Sequence, residues 1–176
     1  MTLIDTSSKM EMNSIVGELD EITRIDGGVI NFRDDEQNVS ISVNSPWKVM
    51  KAEMTPARDF TNALIMDPEA KCHCLLWAGK ITRDLRTDME EKLKQRPNGL
   101  KGYTPRPDSW QTRSINGAEA ISVLADFEKN KVAMVEYVTI LKQDTKGMVL
   151  FARFPAADLN TMKAQFDKVI ETARLQ

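Results

Sequence analysis

The sequence predicts an α+β domain in which antiparallel hairpins and a four-strand meander are flanked by helices. Three features carry this expectation. Asn116-Gly117 lies between two long apolar stretches, the strongest short hairpin signal a chain offers. Val39, Ile41 and Val43 alternate with Ser40 and Ser42, so that segment reads as a strand with one dry face. After Pro155, the residues Leu159, Met162, Phe166, Val169, Ile170 and Ala173 recur with the 3.6-residue period of an amphipathic helix.

Taken in order, residues 1–13 are polar, with capping-box spacing between Ser8 and Glu11. Ile15, Val16, Leu19, Ile22 and Ile25 then recur at three- and four-residue intervals, which predicts a short helix. Gly17 weakens it and Gly27-Gly28 stops it. We therefore expect a helical extension over 1–27 and a compact domain over 28–176. Within the domain, Val29–Phe32 and Val39–Val43 form a first hairpin around the polar turn at 34–38. Pro46 ends it, and Trp47–Met50 resumes as an extended segment. Ala63–Met66 and Cys72–Trp77 form a second hairpin around Asp67-Pro68-Glu69.

A helix over 83–95 follows, with Leu85, Met89 and Leu93 on one stripe. Pro97, Pro105, Pro107, Gly99 and Gly102 then predict a long irregular loop over 96–108, a length often tied to function. The meander runs through Trp110–Ile115, Ala118–Phe127, Val132–Leu141 and Met148–Phe154, joined by short polar turns. The closing helix can bury its apolar stripe only against this sheet.

Composition narrows the function. The chain has 176 residues, 41% hydrophobic and 28% charged, enough apolar material for a core without a metal or disulfide staple. A net charge of -2 gives no reason to expect nucleic acid. Charge is nonetheless uneven, acidic over 1–40 and basic over 80–106. No apolar run reaches membrane-spanning length, and no signal peptide is visible, which leaves bacterial cytoplasm and periplasm both open.

The order of elements resembles the PsbP-like α/β/α sandwich. That fold is shared by the photosystem II extrinsic subunit PsbP, a Ran-binding nuclear import factor and many bacterial exported or accessory proteins. The strand Val39–Val43 leading into Ser45-Pro46-Trp47 is similar to that family's strand-then-Pro-x-Trp opening. Ile115-Asn116-Gly117-Ala118-Glu119-Ala120, the two long strands and the closing helix at Phe166–Ile170 continue the likeness over residues 28–175. The sequence departs from the family where Trp47 directly follows Pro46 and in the acidic stretch before residue 28. The likeness implies a fold and an accessory or adaptor role. It does not carry over the plant subunit's function or Ran binding.

Candidate sites are few. Cys72-His73-Cys74 holds both cysteines and the one histidine. On a strand the two thiols point to one face and the imidazole to the other, so the three cannot converge on a metal. Two buried thiols packing as small apolar groups are the expectation, with neither metal nor cofactor. Any histidine-dependent triad would have to use His73, and no nucleophile elbow or glycine-rich phosphate loop is present. Trp110, beside the Pro- and Gly-rich stretch, is the best candidate anchor. Arg83, Arg86, Arg96, Lys101, Tyr103 and Arg106 form the candidate binding surface next to it. The expected function is a non-enzymatic binding or accessory module for a protein or peptide. The alternatives are a chaperone-like adaptor for a secreted protein, and a small thiol-redox or hydrolytic enzyme centred on Cys72, His73 and Cys74.

Overall fold

The computed structural model describes residues 19–21, 25–26, 29–44, 47–52, 60–67, 69 and 71–176. The strands are β1 (Leu19–Glu21), β2 (Ile25–Asp26), β3 (Val29–Asp34), β4 (Val39–Asn44), β5 (Lys48–Ala52), β6 (Phe60–Met66) and β7 (His73–Lys80). After the helix α1 (Leu85–Gln95) come β8 (Lys101–Pro105), β9 (Gln111–Ile115), β10 (Ala118–Lys129), β11 (Val132–Gln143) and β12 (Lys146–Pro155). The helix α2 (Leu159–Ile170) and β13 (Arg174–Leu175) end the chain. This is the α+β, antiparallel architecture that the alternation and the turn signals predict.

Two sheets form. The large one has nine strands in the order β1-β5-β6-β7-β12-β11-β10-β8, with β9 also on β10. The small one runs β13-β4-β3-β2. The second hairpin (β6–β7) joins the meander (β9 to β12) where β7 pairs with β12, whereas the first hairpin (β3–β4) belongs to the small sheet.

The meander strands read as near-continuous apolar runs because both faces of the large sheet are covered. On β12, Met148, Leu150, Ala152 and Phe154 join a core with Phe32, Ile41, Phe166 and Ile170, built by the small sheet and α2. Val149 and Phe151 on the same strand turn the other way, toward Met89 and Leu93 of α1. Asp84 caps α1 by accepting from the Thr87 amide at 2.9 Å.

The Asn116-Gly117 turn has both residues at positive φ, 49° and 87°, as a tight hairpin of this hand requires. Its asparagine does more than turn the chain. The Asn116 Nδ2 group donates to the carbonyls of Glu171 and Ala173 at 2.9 and 2.8 Å, tying the hairpin to the end of α2.

Three expectations are corrected. In the segment predicted as a helix over 15–25, Leu19–Glu21 pairs antiparallel with β5 and Ile25–Asp26 with β3. Ladder pairing to those neighbours outweighs a short local period already weakened by glycine. The capping pair Ser8 and Glu11, Gly17, Gly27-Gly28, Pro46 and Pro68 lie outside the described residues.

The stretch over 96–108 is not a long irregular loop. It is a 3-10 turn (Arg96–Gly99), the strand β8 and a second 3-10 turn (Pro107–Ser109). Pro105 is tolerated because β8 is an edge strand, and Gly102 takes a φ of 69°. Finally, α2 stops at Ile170 and the chain returns as β13 beside β4, burying Ala173 and Leu175.

Gly147, the second residue of β12, lies directly against Ile81, and a Cβ there would fall on the Ile81 side chain. Gly147→Ala is expected to cost about 1–3 kcal/mol through overpacking. Gly99→Ala, with open space around it, is expected to stay within about 0.5 kcal/mol. The two urea midpoints compared at equal m-value check this.

Candidate functional site

The surface chosen from sequence starts on α1. Arg86 lies with its guanidinium carbon 3.6 Å from the centre of the Trp110 ring, and its Nε donates to Glu90 at 2.8 Å. The stack pins the chain leaving the second 3-10 turn to the first turn of α1. Trp110 is half-buried against the α1-side core, as are Trp77 and Leu85. Three other basic residues have separate partners. Arg83 stands 3.9 Å from Glu91, Lys101 2.6 Å from Glu128, and Arg106 grips Asp126 through two bonds of 2.8 and 2.6 Å.

Arg96 and Tyr103 turn inward. They meet Glu136, a carboxylate with 0% exposure in the middle of β11. Arg96 donates to it from two nitrogens at 3.0 and 2.6 Å, Arg153 from Nε at 2.6 Å, and Tyr103 from its hydroxyl at 3.0 Å. Burial acts to raise the Glu136 pKa, but the two guanidiniums outweigh it and hold the carboxyl below its ordinary value. Burial and the neighbouring Glu136 charge push the Tyr103 phenol up. Arg96 also lies over Phe151, 4.4 Å from its ring centre.

Cys72 and Cys74 are both free and fully buried in the α2-side core. Burial, helped by Asp67, pushes the Cys72 thiol up to about 12, and burial raises Cys74 well above its ordinary value. His73 lies on the opposite face with its surface partly open to solvent, and partial desolvation of the ring with the Lys129 charge lowers its pKa. No group of three or more metal-ligating side chains converges among the described residues. Among the same residues, no helix is long and apolar enough to cross a membrane.

Between the first turn of α1 and β9 lies an open groove of about 470 Å³. Leu85, Arg86, Thr112, Glu119 and Ile121 line it, together with Arg113 and Ala120. Thr112 pairs with Ile121 across the β9–β10 ladder, so their side chains share the α1 face. Arg113, one residue on, points to the other face. Its terminal nitrogen donates to Asp167 at 3.0 Å and to the Tyr137 hydroxyl at 3.3 Å. Lys163 and the Tyr137 hydroxyl also donate to Asp167, each at 2.7 Å. Burial acts to raise the Asp167 pKa, but these bonds prevail and keep it low.

Of the residues singled out from sequence, two pairs come together, Arg86 with Trp110 and Arg96 with Tyr103. Charge patterning does not reach Glu136, Arg153 or the groove residues Thr112, Glu119 and Ile121. One signal for the first two was present. A lone acid in the apolar strand Val132–Leu141 and a lone base in Met148–Phe154 are charges in strands buried on both faces.

Glu136→Ala would remove the buried carboxylate that accepts from Arg96, Arg153 and Tyr103, and a loss of about 3 kcal/mol is expected. The pH dependence has a definite sign. Because the folded-state pKa of Glu136 is depressed, its contribution is present above the unfolded value of about 4.3 and is lost as pH falls through the folded pKa. Glu136→Gln should therefore lower stability at pH 7 and flatten the acid limb of the stability curve, measured by denaturant titration from pH 7 to 3. For the thiols, labelling by a disulfide reagent at neutral pH should be slow and should accelerate with denaturant.

The sequence matches no family profile and no curated protein. Solved structures do match. The solution structure of cyanobacterial PsbP (CyanoP) from Synechocystis superposes with a TM-score of 0.67 at 11% identity, covering 91% of this chain and 100% of that one. A crystal structure from Bacteroides thetaiotaomicron superposes with a TM-score of 0.56 at 13% identity, covering 83% of this chain and 48% of that one. The likeness extends to the whole of CyanoP and to about half of the Bacteroides chain. The superposition over the whole of CyanoP, with antiparallel sheets and two helices in this chain, shows that it has the PsbP-like fold.

Proposed function

We propose that this protein is a non-enzymatic binding or accessory module that recognises a protein or peptide partner. The observation that carries the reading is the groove at the start of α1. It is an open surface groove of about 470 Å³ bordered by β9, β10 and the first turn of α1. Leu85 and Ile121 supply apolar contact, while Arg86, Thr112 and Glu119 supply polar groups around it. The Arg86–Trp110 stack holds one wall, and a prearranged wall lowers the ordering cost of binding. That stack is the part of the sequence-chosen surface retained here as a contact site. Arg96 and Tyr103 act in this reading as supports, because their polar groups are engaged with Glu136.

Nucleophilic catalysis has less support. The thiols are buried with raised pKa values, and His73 lies on the opposite face of its strand.

A selection from a random-peptide display library tests the proposal. The wild-type protein is expected to enrich a consensus, and Thr112→Trp, which fills the groove from an exposed position, is expected to lose it. Failure to enrich any sequence over an immobilised control overturns the binding-module reading. Enrichment that survives Thr112→Trp overturns the assignment to this groove.

A further inference from the structure

The two ends of the outer edge of β10 are treated differently. Both β8 and β9 pair with that edge, and each has an outer side with no strand neighbour among the described residues. The β8 edge carries the devices that prevent strand addition. It has a register shift opposite Asp126 and Glu128, Gly102 at positive φ, Pro105 and Lys101. By contrast, β9 pairs with β10 in unbroken register from Ile115–Ala118 to Gln111–Ser122 and contains neither proline nor glycine. A regular edge without bulge, proline or glycine can template another strand, and the one charge on β9, Arg113, is turned to the α2 face.

The two faces beside that edge have different chemistry. On the α1 face, Thr112 borders the groove with Leu85 and Ile121. On the α2 face sits Arg113, within a cluster of two cations, Arg113 and Lys163, against the single carboxylate of Asp167. Side chains of an added strand alternate between faces. The residue beside Arg113 would meet positive charge, and its neighbours on either side would meet the groove.

We propose that β9 receives an extended peptide by strand addition, and that this peptide carries an acidic residue beside Arg113 flanked on both sides by apolar residues directed to the groove. This rests on the binding-module reading above and gives it a geometry and a ligand class. A second copy of this chain is a poorer occupant. Antiparallel self-pairing centred on Arg113 would set the two guanidiniums directly opposite each other.

The probes are capped nonapeptides with Val-Glu-Val, Val-Gln-Val or Val-Lys-Val at the centre, titrated into the full chain and followed through its amide resonances. Val-Glu-Val is expected to bind about tenfold more tightly than Val-Lys-Val, the scale of one well-placed charge pair. Amide exchange over residues 111–115 should slow on binding. N-methylation of alternate backbone nitrogens should abolish binding in one register and spare it in the other. Arg113→Glu should reverse the charge preference. If that variant unfolds, Lys163→Gln should still narrow it.

Equal affinity for the three peptides, or indifference to N-methylation in both registers, overturns strand addition. So does a concentration-dependent dimer that the Val-Glu-Val peptide fails to dissociate, because it assigns the edge to a second copy. The outcomes are separable from those of the broader reading. A display selection that enriches groove-dependent peptides with no acidic position leaves the binding module standing and removes this geometry. A selection that enriches nothing removes both.

Discussion

Glu136 is a carboxylate with no solvent exposure in the centre of a sheet buried on both faces, and a charge so placed must be compensated within the protein. Its compensation comes from distant parts of the chain. Arg96 follows the last residue of α1, Tyr103 lies on β8, and Arg153 lies on the neighbouring strand β12. One carboxylate thereby sets the end of α1, the crossing to the sheet edge and the pairing of two central strands. Arg96 over Phe151, and Arg153 with its guanidinium carbon 5.9 Å from the Phe127 ring centre, add apolar cover to the same network.

This anchor has a consequence at the other end of α1. The helix is eleven residues long, so its first turn stands roughly 16 Å from the anchored end. With the C-terminal end held by Arg96 and the first turn held by the Arg86–Trp110 stack, Leu85 and Arg86 have a fixed place above β10. The helix does not extend over Thr112 and Glu119, and the groove is the space left beside it.

The strand bordering that groove is also tied to the opposite layer. Asn116 bonds the carbonyls that follow α2, and Arg113 bonds Asp167 on that helix. An edge strand braced from its α2 face keeps its shape before any partner arrives, so less conformational entropy is lost on association. Among the described residues, fold stability and the candidate site thus share the same bonds.

The backbone architecture was largely legible from sequence because its signals are local. A dyad period, a 3.6-residue period and an Asn-Gly turn each act over a few residues, and β4, α2 and the β9–β10 hairpin follow them. Where a segment's state is set by what lies beside it, local reading failed. Leu19–Glu21 is a strand because β5 is available to pair with, and β8 forms despite containing Gly102 and Pro105 because β10 offers an edge. The sequence by itself determined the fold class, the hairpins of the meander and the burial of the two thiols on one strand face. Only the tertiary structure decided which charges face each other. It turned Arg96 and Tyr103 from a supposed outer surface onto Glu136, and among the described residues it left β9 without an outer strand neighbour, beside a groove. Ion pairing and edge exposure join residues tens of positions apart, and no local period encodes them.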